Sequence, residues 1–172
     1  TDPISGCATD ASVTVDVNPA PLNNLGSDTL LCGLTLFTLD AGNPGSTYLW
    51  NDNSTNQTLD ASADGNYSVE ITEPVNGCSA IYDVTLTFGQ LPAPVNLGND
   101  TVVCNGGSIV LNAGTGYTTY DWNTGATSQT ITATSAGTYS VVVTNNDGCE
   151  ASDAIVITLG TNPTVNLGND AT

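Results

Sequence analysis

The chain has no lysine, no arginine, no histidine and no methionine among its 172 residues, against 17 aspartates and glutamates, so its formal net charge is -17. Each absence removes a class of function. Without a basic side chain nothing can neutralise phosphates, which excludes nucleic acid as a partner, and an anionic membrane surface repels the chain for the same reason. Without histidine the usual general base is missing, and neither a Ser-His-Asp nor a Cys-His site can be built. Zinc sites of the cysteine–histidine kind are excluded as well. Without lysine no Schiff base or lysine-derived crosslink can form. No apolar run approaches the length of a membrane span, so no membrane insertion is expected. No positively charged n-region of a secretory signal is present, and the chain reads as a mature segment or a piece of something longer. The hydrophobic content of 39% argues against a disordered acidic tail.

What is present is a repeat. "NLGSDTLLCG" at 24–33 returns as "NLGNDTVVCNGG" at 96–107, and "VNLGND" returns at 165–170. Cys32 falls on Cys104, Trp50 on Trp122 and Tyr67 on Tyr139, each 72 residues on. One extra residue in the 74–76 turn then places Cys78 on Cys149, 71 residues apart, and Cys7 lies 71 before Cys78. The expected organisation is residues 1–18 as the closing strand or strands of a preceding repeat, whole repeats at 19–90 and 91–161, and 162–172 as a linker and the start of another. The junctions "VNPAPLNNLG", "GQLPAPVNLG" and "GTNPTVNLG" are proline-stiffened and short, which predicts domains that touch or nearly touch in a semi-rigid rod.

Inside each repeat apolar residues alternate. Phe37 and Leu39 match Ile109 and Leu111; Tyr48 and Trp50 match Tyr120 and Trp122; Tyr139, Val141 and Val143 share a face. So do Val84, Leu86 and Phe88, and Ile155, Ile157 and Leu159. Such runs, broken by Gly, Asn, Asp and Ser, predict strands and no helix. Six or seven short strands in about 70 residues make a small sandwich. The expected fold is all-β, tandem immunoglobulin-like β-sandwich repeats, with Trp50, Trp122, Tyr67 and Tyr139 in the cores. "DGNY" (64–67) and "AGTY" (136–139) fit a tyrosine corner, in which the tyrosine hydroxyl bonds back to the chain a few residues upstream. The alternative is a β-rich tyrosine that merely follows a turn.

The five cysteines recur in register, which favours disulfides over five buried thiols. The expected pairs are Cys32–Cys78 and Cys104–Cys149, one intradomain disulfide per repeat, each closing about 45 residues and constraining the unfolded chain by roughly 4 kcal/mol. Cys7 is left unpaired by truncation. Disulfides place maturation in an oxidising compartment. No Cys-x-x-Cys spacing is present, so redox catalysis and a metal cluster fit poorly.

The acidic residues allow calcium at the joints, where Asp28, Asp100 and Asp170 recur and Asp10 and Asp153 could add oxygen ligands. No EF-hand loop supports this. The favoured reading is that these side chains cap turns and keep the surface soluble. The turn "NDNSTN" at 51–56 is open to the same two readings. Paired carboxylates can hydrolyse glycosides, but no pair stands out and short loops promise no deep cleft, so no enzymatic activity is expected. Asp28-Thr29-Leu30 and Asp100-Thr101-Val102 match a short Asp-Thr-apolar acceptor pattern, which makes Thr29 and Thr101 candidate O-glycosylation sites.

The pattern LGNDT-x-x-C, Y-x-W-N-T-G-A-T-x-Q-T-I, GTYSV-x-V-T and GC resembles the repeats of giant cell-surface adhesins of Bacteroidota, in particular those of flavobacterial gliding motility. The second repeat keeps Cys104, Trp122, Gly125, Gln129, Gly137, Tyr139 and Cys149; the first departs at Asp52 and Asn53. The resemblance implies export by a gliding-linked secretion system and display on the outer-membrane surface of a Gram-negative bacterium. It also implies a stalk function, with neighbouring repeats as partners and motility or secretion machinery engaged through other regions. The other reading is a direct carbohydrate- or surface-binding module for substratum polysaccharide, for which Tyr82 and Tyr117 are the candidate exposed aromatics.

Overall fold

A computed structural model describes Ile4, residues 12–104 and residues 106–161. Cys7, Asp10, Asp170 and the segment 162–172 lie outside the described residues. The first repeat contributes β1 (Thr29–Cys32), β2 (Phe37–Asp40), β3 (Thr47–Trp50), β4 (Thr58–Ala61), β5 (Gly65–Thr72) and β6 (Ser79–Gly89). The second contributes β7 (Thr101–Cys104), β8 (Ile109–Asn112), β9 (Thr119–Trp122), β10 (Thr130–Ala133), β11 (Gly137–Thr144) and β12 (Glu150–Gly160). No helix occurs among the described residues.

Each repeat forms a four-stranded sheet and a two-stranded sheet. The orders are β1-β6-β5-β3 with β2-β4, and β7-β12-β11-β9 with β8-β10. The third, fifth and sixth strands occupy the places of C, F and G of an immunoglobulin-like sandwich, and the second and fourth those of B and E. The first strand joins the C-F-G sheet, parallel to the last strand: Thr29 to Cys32 face Leu86 to Gly89, and Thr101 to Cys104 face Ile157 to Gly160. The fold class is therefore as expected, all-β and sandwich-like.

Residues 12–24 form no strand. In the repeat alignment 12–18 correspond to the latter half of β12, which is held by β11 on one side and β7 on the other; no described strand takes either role for them.

The described chain gathers into two compact units. One holds the described residues up to Asp28 with Phe37–Ala61 and Asn66–Thr85; the other holds Thr29–Leu36, Ser62–Gly65 and the described residues from Leu86 on. The boundary passes through β6, so the units do not follow the sequence repeats.

Alternation decides what is buried. Trp50 and Trp122 are each 1% exposed. Each sits opposite a valine of the F-position strand, Val69 and Val141, and each indole N–H donates to a carbonyl six residues on, Asn56 and Ser128, at 2.8 Å. A buried indole needs such a partner. In the second repeat the tryptophan packs with Leu111, Tyr139, Val141, Val143, Ile155 and Ile157. Leu159 departs from the expected face and is 42% exposed. Tyr139 is buried, and its hydroxyl donates to the Ser135 carbonyl at 3.0 Å, which is the bond of a tyrosine corner. Tyr67 is half-buried.

Side chains also fix the turns. Asn53 (φ 70°) stands in the left-handed position that Gly125 (φ 82°) takes in the sister repeat, a backbone region asparagine tolerates. That is why the departure at 52–53 leaves the turn intact: Trp50 N–H reaches Ser54 O and Trp122 N–H reaches Ala126 O, both at 3.0 Å. Asp40 accepts from Gly42 N–H and the Gln57 amide, both at 2.8 Å; Asn112 accepts from Gly114 N–H and the Gln129 amide, both at 2.9 Å. Bonds from Gln57 and then Gly42 hold the Asp40 carboxyl below the usual carboxylate range.

Two outcomes are expected. Trp122→Ala removes the largest side chain of the second core and should destabilise by about 3–5 kcal/mol in urea unfolding followed by circular dichroism. Asp40, with its folded pKa lowered, contributes stability that is full above its unfolded pKa and lost as pH falls through the folded value. Asp40→Asn, which installs the acceptor found at position 112, should leave the neutral-pH urea midpoint nearly unchanged and flatten its decline on acidification.

Candidate functional site

The best-defined constellation lies where the first strand of the first repeat ends. Parallel pairing brings Cys32 beside Gly89, the last residue of β6. The turn before β12 meets them there, and Cys32 is disulfide-bonded to Cys149, with Cα atoms 5.7 Å apart and 117 residues of sequence between them. Cys78 and Cys104 are free thiols, half-buried and exposed respectively. This corrects the expected pairs Cys32–Cys78 and Cys104–Cys149: the one disulfide among the described residues joins cysteines of different sequence repeats.

The physical reason is the strand geometry. Cys78 stands at the start of β6 and Cys32 pairs with its end. An eleven-residue strand spans roughly 35 Å, far beyond the roughly 7 Å limit between bridged Cα atoms. Cys149 and Cys104 are held apart in the same way by β12, since Cys104 faces Gly160. Closing 117 residues constrains the unfolded chain by roughly 5 kcal/mol in the chain-entropy model.

The surroundings of the bond are fitted to it. A Cβ on Gly89 would stand 2.5 Å from the Cys149 sulfur and 3.1 Å from Asp147 Cβ, so only glycine admits the bridge. Gln90 is held on both backbone groups: its N–H donates to Asp147 at 2.8 Å, and its carbonyl accepts from Asn145 at 2.6 Å. Asn145 also accepts from Asp147 N–H and Cys149 N–H, which shapes the turn. An open cavity of about 220 Å³ beside the bond is lined by Gly33, Leu34, Thr35, Gly89, Gln90 and Leu91. It is smaller than the roughly 300 Å³ at which small-molecule sites begin, and no titratable side chain lines it.

Each described carboxylate read as a calcium candidate accepts a backbone N–H. Asp28 accepts from Thr85 N–H at 2.8 Å, Asp100 from Val156 N–H at 2.9 Å, and Asp153 from Leu97 N–H at 2.7 Å. Among the described residues no group of three or more Cys, Asp or Glu is gathered in a way that could hold a metal ion. In the 51–56 turn Asp52 accepts from Ser54 N–H at 2.8 Å. Thr29 is exposed and Thr101 half-buried, each at the first position of its strand.

Tyr82 and Tyr117, the candidate sugar-binding aromatics, hold the linkers. The Tyr82 hydroxyl donates to Pro21 O at 2.5 Å and that of Tyr117 to Ala93 O at 2.9 Å. The two tyrosines are not equivalent in the repeat, yet Pro21 and Ala93 are, 72 residues apart. Asn43 adds a two-way bond to Leu22, donating to its carbonyl and accepting its N–H. These clamps carry no signal in the repeat alignment, and only the recurrence of the linker itself could have suggested them.

Gly89→Ala should block the bridge. Free-thiol titration under non-reducing denaturing conditions should rise by two per chain, and unfolding free energy should fall by about 2–5 kcal/mol, as for loss of a native disulfide. Gly26→Ala, where a Cβ meets nothing within 4 Å, should leave the thiol count unchanged.

No protein-family model and no curated protein sequence matches the chain. Solved structures that resemble it include extracellular domains 3–5 of Drosophila OTK, at 14% identity and TM-score 0.44 over 78% of this chain and 60% of that one. A Dscam structure matches at 18% identity and TM-score 0.34 over 80% and 44%, and DIP-gamma IG1+IG2 at 11% and 0.37 over 77% and 93%. The chain thus spans 60% of the OTK chain and under half of the Dscam chain.

Proposed function

We propose that the chain is a non-enzymatic extracellular repeat segment, a semi-rigid stalk of a large cell-surface adhesin, serving surface attachment and gliding motility. The observation that carries this reading is the disulfide from Cys32 to Cys149, which ties one sequence repeat to the next covalently. A bond of that kind resists extension and needs an oxidising compartment. Support also comes from the clamped proline linkers at Pro21 and Ala93.

In this reading the segment is displayed outside the outer membrane of a Gram-negative bacterium. Neighbouring repeats are its immediate partners, and the secretion or motility machinery engages other regions of the adhesin. Calcium acts as a counter-ion for a charge of -17, lowering repulsion between successive acidic segments. Sugars on Thr29 and Thr101 would lie at the starts of β1 and β7.

Direct sugar binding is the competing reading, and the hydroxyl bonds of Tyr82 and Tyr117 to linker carbonyls weigh against it. On a glycan array the folded, oxidised chain should give no reproducible signal; dose-dependent binding to a defined polysaccharide would overturn the stalk assignment. Pulled from its ends by single-molecule force spectroscopy, the oxidised chain should release about 400 Å less contour length than the reduced one, since 117 residues at roughly 3.4 Å each stay closed.

A further inference from the structure

We propose that Asn76 is a site of self-modification. In the folded chain the Gly77 nitrogen attacks the Asn76 side chain, ammonia is lost, and water turns the position into aspartate or isoaspartate. The proposal does not rest on the adhesin reading.

The reaction asks three things of an asparagine: a polarised side-chain carbonyl, an unhindered nitrogen on the next residue, and contact with water. The first is met wherever Oδ1 accepts the N–H two residues on. Asn23 accepts from Leu25, Asn76 from Cys78, Asn96 from Gly98, Asn112 from Gly114 and Asn145 from Asp147. At Asn76 that bond is 2.8 Å long, and it donates to the oxygen on which negative charge develops when the carbonyl is attacked.

The second requirement separates Asn76 from the others. The residues that follow these asparagines are Asn24, Gly77, Leu97, Ala113 and Asn146. Among them only Gly77 presents a nitrogen with no side chain beside it. A Cβ at 77 would meet nothing within 4 Å, and the residue is left-handed with φ 71°, so the turn keeps glycine for its backbone and not for packing. Asn105, which also precedes a glycine, lies outside the described residues.

Water reaches the turn: Val75 is 94% exposed, and Asn76 and Gly77 are exposed. This access does not depend on the turn standing free. The equivalent turn of the second repeat is bridged through Cys149 to Cys32, yet Asp147 and Gly148, at the positions of Asn76 and Gly77, are exposed as well.

One bond opposes the attack. Gly77 N–H donates to Glu73 O at 2.9 Å, and the nitrogen is free to react only when that bond opens. Opening one exposed hydrogen bond slows the reaction by about tenfold at most.

The step balances with water alone. Hydroxide takes the Gly77 N–H proton, and the nitrogen attacks Asn76 Cγ. The new N–Cγ bond closes a cyclic imide, the Cγ–Nδ2 bond breaks, and Nδ2 takes a proton from water and leaves as ammonia. Water then adds to one imide carbonyl. Addition at Cγ breaks the new bond and leaves aspartate. Addition at the main-chain carbonyl breaks the original peptide bond and leaves isoaspartate, with the chain running through the side chain. Either product adds one negative charge. Aspartate is what the second repeat already carries, at Asp147 before the left-handed Gly148, so that product fits the turn. Isoaspartate adds a methylene to the main chain inside the turn that Glu73 N–H closes on Cys78 O at 2.9 Å.

The test holds the folded, oxidised chain at mildly alkaline pH beside a sample in urea. Aliquots are digested by an aspartate-specific protease, which cuts at aspartate and not at isoaspartate, and the peptides are read by mass spectrometry. Asn76 should convert ahead of Asn23, Asn96, Asn112 and Asn145, to both products, at a rate within about tenfold of that in urea. Gly77→Asn keeps a residue that tolerates the left-handed backbone, an exchange the chain itself makes between Gly125 and Asn53, and should suppress conversion at 76. Asn76→Asp should keep the circular dichroism of the parent and release less ammonia. Another of these asparagines converting ahead of Asn76, conversion of Asn76 confined to the urea sample, or a parental rate in Gly77→Asn would each overturn the proposal.

Discussion

Parallel pairing of a repeat's first strand with its last determines where the cysteines lie. β1 runs beside the final residues of β6, so Cys32 arrives at Gly89 and the turn cysteine of the same repeat is left a whole strand away. A bridge can then form only with a turn from elsewhere in the sequence, and Cys149 supplies it.

Strands of four residues, such as β1 to β4, are short for independent stability. The repeat compensates with side chains that bond to backbone at fixed places. The indoles hold the carbonyls of Asn56 and Ser128, Asp28 and Asp100 cap the last strand of their repeats, and Tyr48 and Tyr120 reach the carbonyls of Gly42 and Gly114. Asn51 and Asn123 each donate across the sheet to Asn66 and Thr138. Where the residue type changes between repeats, the role persists: Asn53 for Gly125, Asp40 for Asn112. An acidic surface emerges from this economy because a carboxylate is an acceptor with no basic partner required.

Strand positions, the tryptophan cores and the Tyr139 corner were legible because a period of two and a fixed repeat register are local signals. The disulfide was not. Spacings of 72 and 71 between like cysteines are equally compatible with closure inside a repeat and with closure onto the next, and the deciding fact is a parallel pairing between residues 57 apart. The aspartates at 28 and 100 recur and each accepts a backbone N–H, but those amide partners lie 57 and 56 residues on, so the bonds could not be read from recurrence alone. Tyr82 and Tyr117, read as candidate exposed aromatics, do not recur; what recurs is the linker carbonyl each one holds.

The central claim is tested most directly by alkylating the folded, unreduced chain in its Cys7→Ser form, then reducing it, labelling the newly released thiols with a second mass tag, and reading both tags by mass spectrometry. The strand geometry predicts the first tag on Cys78 and Cys104 and the second on Cys32 and Cys149. The second tag on Cys32 and Cys78, with Cys104 and Cys149 likewise released together, would contradict it.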